Sequence, residues 1–196
     1  ILPLRTLSPD GFGDLWDQAQ ALQFAIAQGA TVVNLSFSFD ERSQLFADSL
    51  ADVTCTANGY AACRARGQSG AVVVAAAGNE GARRREWPAG YETPGLVAVG
   101  ASTANDRLAD FSNYGSWVAI AAPGEGILST VPGGGYGTWS GTSMATPLLS
   151  GVMALVRASD GALAPADVVK RVVVSASRMD GKVNRRVDAG AALGAP

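Results

Sequence analysis

Four short runs set the limits on what this chain can fold into. Thr31–Phe37, Ala71–Ala77, Leu96–Ala101 and Val118–Ala121 are built from apolar, small and β-branched residues and carry no charge. Runs of this length without polar alternation read as strands covered on both faces. Helical patterns and turns separate them. After a turn at Ser8-Pro9-Asp10-Gly11, Asp14 is placed to cap a helix with Leu15, Ala19, Leu22 and Ile26 on its apolar face, and Gly29 suits its end. Leu2–Leu7 reads as a further strand, and Ile127–Trp139 as a hairpin around Gly133-Gly134-Gly135. Helices are expected over Thr142–Ala158 and over Pro165–Ser175, where Pro165 fits a first turn. The alternation implies an α/β fold of three layers, a mainly parallel sheet flanked by helices.

With 196 residues, 47% of them apolar and 16% charged, the chain can bury one core and is not a disordered tail. A net charge of −2 argues against a nucleic-acid or membrane-surface role. The longest apolar stretch, Met144–Val156, is broken by Pro147 and Gly151, so no membrane span is expected. Ile1–Arg5 do not resemble a signal peptide but a strand already inside a fold, which suggests that the start is a truncation or a cleavage point. Residues 40–70 read as a polar surface elaboration holding one helix and the cysteines Cys55 and Cys63. A local disulfide and two thiols are both open for that pair; a disulfide would imply an exported protein. Two cysteines and no histidine make a zinc site unexpected, no strong calcium loop is visible, and no cofactor is evident.

Two turns carry the chemistry. In Gly141-Thr142-Ser143-Met144-Ala145-Thr146-Pro147, a serine sits where a glycine turn enters an apolar helix. Its backbone N–H there meets the positive end of the helix dipole, where a developing oxyanion is stabilised. Pro147 is expected within the first turn, where no helical N–H is lost. Asn79 follows the strand Ala71–Ala77, at the strand end where α/β folds place ligand-facing groups. Its amide could donate to the same oxyanion. Alone, Ser143 could be a cap and Asn79 a turn residue.

Together, Gly141–Pro147 and Ala75-Ala76-Ala77-Gly78-Asn79-Glu80-Gly81 resemble the nucleophile and oxyanion-asparagine motifs of the subtilisin-like serine proteases, the subtilases. Val32–Ser36, Phe111–Gly115, Ala122–Gly124 and Arg186–Ala189 are similar to further family segments, in family order and over the whole chain. The resemblance implies an extended polypeptide substrate lying between Gly11-Phe12-Gly13 and Ser36-Phe37-Ser38, held by backbone pairing. Phe37 and Leu15 would line an apolar subsite, unless Phe12 and Phe37 are core. Ser38 stands where the family often has glycine. Ala76, Ala77 and Gly78 would wall the primary specificity pocket. Glu86 falls near its floor, where a buried carboxylate would select Lys or Arg; beside Arg83, Arg84 and Arg85 it could instead belong to a solvated loop. Pro88 matches a position where the family tends to have a cis peptide. Leu148 replaces a histidine common there, not the catalytic one.

A nucleophilic serine needs a base, and the chain has no histidine. In the family the Asp and His precede the segment that resembles Ile1–Gly13. The chain is thus expected to be the C-terminal part, residues 1–196, of one subtilase catalytic domain, N-terminally incomplete, with that segment as its partner. Alone it is expected to be inactive, to expose apolar sheet surface and to fold poorly. A non-catalytic peptide-binding module is the alternative. An α/β-hydrolase would require a His after the nucleophile, and none follows. The family's habit implies a secreted or extracytoplasmic protein.

Overall fold

The computed structural model describes residues 1–56, 63, 67 and 69–194. Four of the expected strands form a parallel array: β1 (Val32–Leu35), β2 (Val72–Ala76), β3 (Leu96–Ser102) and β4 (Val118–Pro123). A short antiparallel pair, β7 (Ser177–Arg178) and β8 (Arg185–Arg186), continues the sheet in the order β1-β2-β3-β4-β8-β7. The helices are α1 (Leu15–Ala27), α2 (Gln44–Val53), α3 (Thr142–Ser159), α4 (Pro165–Ser175) and α5 (Ala189–Ala192). The glycine-rich hairpin β5 (Ile127–Val131) and β6 (Gly135–Trp139) stands apart as its own two-stranded sheet.

The lack of polar alternation in the strands has its expected cause. Val73, Ala75 and Ala77 face one way and pack with Leu22, Phe46 and Leu50 of α1 and α2. Val72 and Val74 face the other way, toward Leu149, Met153 and Val156 of α3 and Val168 of α4. Both sheet faces are covered, giving three layers. Small residues on β2, β3 and β4 let the helices approach closely.

Local signals act as read. Asp14 Oδ1 accepts from the Trp16 N–H at 2.6 Å, capping α1. At its end Gly29, with φ +80°, and Ala30 return their N–H groups to Ile26 and Ala25, a Schellman closure. Trp87–Pro88 is cis.

Two expectations change. Leu2–Leu7 is not a strand: it has no ladder partner among the described residues, and a strand needs one to satisfy its N–H and C=O groups. It runs beside Asp17, Ala21 and Phe24 of α1 with Ile1, Leu2 and Leu4 exposed. The segment 40–70 is no mere surface elaboration, because α2 buries Phe46, Leu50 and Val53 in the main core. Phe46 meets Phe39 and Tyr91 at 5.3 and 6.3 Å between ring centres. Asp48 and Asp52 lie on the exposed other side of the helix; residues 57–62, 64–66 and 68 of the segment lie outside the described residues. Cys55 and Cys63 are both buried. A Cβ on Gly70 would lie 3.1 Å from the Cys55 sulfur and 3.1 Å from Pro165 Cγ.

Candidate active site

The site forms where β1 and β2 end and α3 begins. β2 runs into Gly78, which has φ +103°. A Cβ there would strike the Asn113 amide and lie 2.7 Å from Glu86 Oε2, so the turn admits no side chain. That turn presents Asn79. Its Oδ1 accepts from the Thr142 N–H at 2.8 Å and from Thr142 Oγ1 at 3.0 Å. With the carbonyl oxygen so held, the Asn79 amide lies beside Gly141, its Nδ2 and Oδ1 each 3.7 Å from where a Cβ on that glycine would sit. A donor fixed in this way loses little freedom when it meets an anion.

Thr142, fully buried, ties the two turns: the Gly78 N–H donates to its hydroxyl at 3.2 Å. Gly124 lets the α3 entry approach. The Gly141 N–H donates to the Gly124 carbonyl at 2.8 Å, and a Cβ on Gly124 would lie 2.6 Å from Ala101 Cβ. Ser143 is then the second residue of α3, half-buried, with its N–H in the first turn. Its hydroxyl donates to the Ser36 carbonyl at 3.1 Å, while Ser36 Oγ donates to the Ser143 carbonyl at 2.9 Å. Ser143 and Asn79, 64 positions apart in sequence, are therefore brought to the two sides of one turn pair.

Pro147 is not in the first turn, as the sequence suggested. It is the sixth residue of α3, and its missing N–H would have met the Ser143 carbonyl. Ser36 supplies the donor instead.

The flanking residues separate. Ser36 and Phe37 are half-buried and follow β1; Phe37 packs edge-on against Phe46 at 6.4 Å, as a core residue does. Gly11, Phe12 and Gly13 lie in the turn before α1 with Phe12 78% exposed, so Phe12 is not core. Leu15 is half-buried against the α1–α2 core. Ala76, Ala77 and Gly78 are buried.

Glu86 is 4% exposed, and the solvated-loop reading fails for it. Its carboxyl lies against Gly78 and bonds to Ser38 and Glu80, with the Arg84 guanidinium 3.9 Å away. Burial pushes the Glu86 carboxyl above its ordinary range, as does its hydrogen bond with Glu80. Glu80 is held below its ordinary range by that same bond and by Asn113, whose Nδ2 donates at 2.6 Å. Arg84 is shared with Asp40, which it binds more closely at 2.7 Å, and Arg85 bonds the Gly90 carbonyl, Glu92 and the face of Trp117.

Asn113 was missed as a site residue. Besides holding Glu80, its Oδ1 accepts from the Glu80 and Ala82 N–H groups at 3.1 Å each, so it shapes the turn after Asn79. Its place in Phe111–Gly115 was visible, its role was not, because the contact spans more than 30 residues. Thr142 and Asn34 were likewise hidden. Among the described residues no helix is long and apolar enough to cross a membrane.

Known proteins are similar to this chain. Residues 1–190 match the family model described as the subtilase family. A thermophilic serine proteinase of Bacillus sp. (strain AK1) is 44% identical over 161 residues, 82% of this chain and 36% of that protein. Thermitase of Thermoactinomyces vulgaris is 38% identical over 161 residues, 82% of this chain and 52% of its own length. A solved cold-adapted subtilisin-like serine proteinase superposes with a TM-score of 0.80 at 30% identity, over 94% of this chain and 65% of that one. The chain thus spans between a third and about half the length of these curated relatives.

Proposed function

Because the chain belongs to the subtilase family, we propose that it is the nucleophile-bearing part of a serine endopeptidase domain that hydrolyses extended polypeptides. The observation that carries this reading is Asn79, anchored through Oδ1 to Thr142 so that Nδ2 lies beside the turn presenting Ser143. In the reaction Ser143 Oγ attacks the scissile carbonyl and loses its proton to an imidazole. The Ser143 N–H and Asn79 Nδ2 stabilise the oxyanion; collapse expels the amine, which takes the proton back from the imidazolium, and leaves an acyl-enzyme that water hydrolyses. The imidazole and its Asp must come from outside these 196 residues, which contain no histidine. This chain by itself is then inactive.

The substrate would lie between Gly11-Phe12-Gly13 and Ser36-Phe37-Ser38, with Ala76, Ala77 and Gly78 walling the pocket for the residue before the scissile bond. The buried Glu86 carboxyl supports a preference for Lys or Arg there: Glu80, Glu86 and Asp40 face the one guanidinium of Arg84. Family habit favours an extracytoplasmic location. The absence of histidine favours a second reading, a peptide-binding module without catalysis.

The deciding experiment measures casein hydrolysis and fluorophosphonate labelling by the full-length protein, by its Ser143→Ala variant and by residues 1–196 alone. Activity and labelling in the full-length protein only, both lost in Ser143→Ala, are expected. Peptide binding without hydrolysis or labelling in the full-length protein would establish the second reading.

A further inference from the structure

Pro147 leaves a defect next to the nucleophile. An unbroken helix would close a bond from the residue-147 N–H to the Ser143 carbonyl, four residues back. Proline has no N–H, and its ring crowds that carbonyl and tilts it away from the helix axis. The Ser143 carbonyl is thus orphaned in a half-buried place, where an unsatisfied acceptor is costly.

The structure fills the defect from the end of β1. Ser36 Oγ donates to the Ser143 carbonyl at 2.9 Å, and the Ser36 carbonyl accepts from Ser143 Oγ at 3.1 Å. The two serines are 107 positions apart and grip each other through both ends. Ser36 Oγ has its own support: Asn34 Nδ2 donates to it at 2.9 Å, which leaves its proton for Ser143. Asn34 Oδ1 meets Ser150 Oγ at 3.2 Å, Ser150 Oγ reaches the Thr146 carbonyl at 2.9 Å, and Thr146 Oγ1 donates to the Thr142 carbonyl at 2.8 Å. Asn34, Ser36, Ser143, Thr142, Thr146 and Ser150 thereby close a ring around the first two turns of α3.

We propose that Ser36 is a positioning residue for Ser143, its hydroxyl standing in for the helical N–H that Pro147 removes. It fixes the Ser143 peptide plane, and with it the direction of the N–H and the origin of the side chain. The role rests on the assignment of Ser143 as nucleophile. It is carried by the Ser36 side chain and differs from any backbone pairing of residues 36–38 with substrate.

The test uses the full-length protein and the variants Ser36→Ala, Ser36→Thr, Pro147→Ala and Ser36→Ala/Pro147→Ala. Amide hydrogen exchange over residues 142–146 reports the first turn of α3 without any need for catalysis. Ser36→Ala is expected to speed that exchange about 10-fold, the size of one lost hydrogen bond to a half-buried acceptor, with α4 unchanged. In parallel kcat falls about 10-fold with KM within about twofold, since the ground-state contacts are intact. Ser36→Thr restores both by keeping the hydroxyl. In the Ser36→Ala background, Pro147→Ala also restores both, because the new N–H takes the Ser143 carbonyl. Unchanged exchange in Ser36→Ala, or an equal loss in the single and double variants, overturns the proposal. Faster exchange without any hydrolysis or fluorophosphonate labelling in the parent protein sustains the clamp and overturns the endopeptidase reading. Hydrolysis with exchange and kcat unmoved by Ser36→Ala does the reverse.

Discussion

The two walls of the proposed substrate cleft are held in different ways. On one wall, Asn79, Thr142, Ser143 and Ser36 are joined by hydrogen bonds that span 63 to 107 residues of sequence. On the other, Gly11-Phe12-Gly13 is closed by local bonds to Ser8, which receives the Phe12 N–H on its hydroxyl at 3.3 Å and gives its own N–H to the Phe12 carbonyl at 2.7 Å. The first wall exists only when β1, β2 and α3 are packed together, so it is as stable as the sheet. The second can open without disturbing the core. A protease needs the first kind of rigidity around the reacting atoms, where small displacements are expensive, whereas a backbone-pairing wall can adjust to many substrates.

The sharpest way to break this comparison is Asn79→Ala in the full-length protein. Loss of one preorganised oxyanion donor is expected to lower kcat by about 10²–10³-fold with little change in KM. The same change removes the acceptor for the Thr142 N–H, so the thermal midpoint should fall as well. A kcat within about fivefold of the parent would place the Nδ2 group away from the reacting carbonyl and reduce Asn79 to a structural tie.

Much of this first wall was legible because its residues lie in two short motifs. Gly78-Asn79 and Gly141-Thr142-Ser143 show a glycine, a polar group and the end or start of an apolar element, and such local chemistry is written in consecutive letters. The strands β1 to β4 were legible for the same reason, as was Asp14 as a cap. What stayed hidden depends on contacts between distant segments. Nothing near Ser36 announces that it meets an orphaned carbonyl at Ser143, and Pro147 was misplaced by a turn although the helix start at Thr142 was read as it stands. Leu2–Leu7 has the composition of a strand, but a strand is defined by its neighbour, and residue type does not supply one. The polar composition of residues 40–70 made them look superficial, although the exposed Asp48 and Asp52 ride on a helix whose other side is Phe46, Leu50 and Val53.

A smaller effect tests the floor of the first wall. Glu86 has a raised pKa, so its contribution to stability is full below its unfolded value and is lost as pH rises through its folded one. Glu80 has a lowered pKa, and its contribution is present above its unfolded value and lost as pH falls through its folded one. Glu86→Gln mimics the protonated acid. It should leave the thermal midpoint unchanged at acidic pH and raise it by a few degrees at pH values above the raised Glu86 pKa, where the parent buries a charge. In peptide cleavage the same variant should erase any gain for Lys or Arg over Leu before the scissile bond. A midpoint difference that is flat across pH would mean that Glu86 keeps one protonation state throughout, and the raised titration of its buried carboxyl would then have no support.

The smallest effect belongs to the second wall. Phe12 is 78% exposed, so Phe12→Ala removes little buried surface and should shift stability by no more than about 0.5 kcal/mol. If the residue only decorates a turn, that is the whole consequence. If its ring covers one side of an extended substrate, as the position between Ser8 and α1 suggests, KM should rise several-fold while kcat holds, the pattern of a contact made equally in the ground and transition states. The Ser143–Asn79 wall gives the opposite signature, a fall in kcat at nearly constant KM. Measured side by side on one peptide series, Phe12→Ala and Asn79→Ala therefore separate a wall that binds from a wall that reacts. A drop in kcat from Phe12→Ala would erase that division and show that the locally closed turn also helps to set the geometry at Ser143.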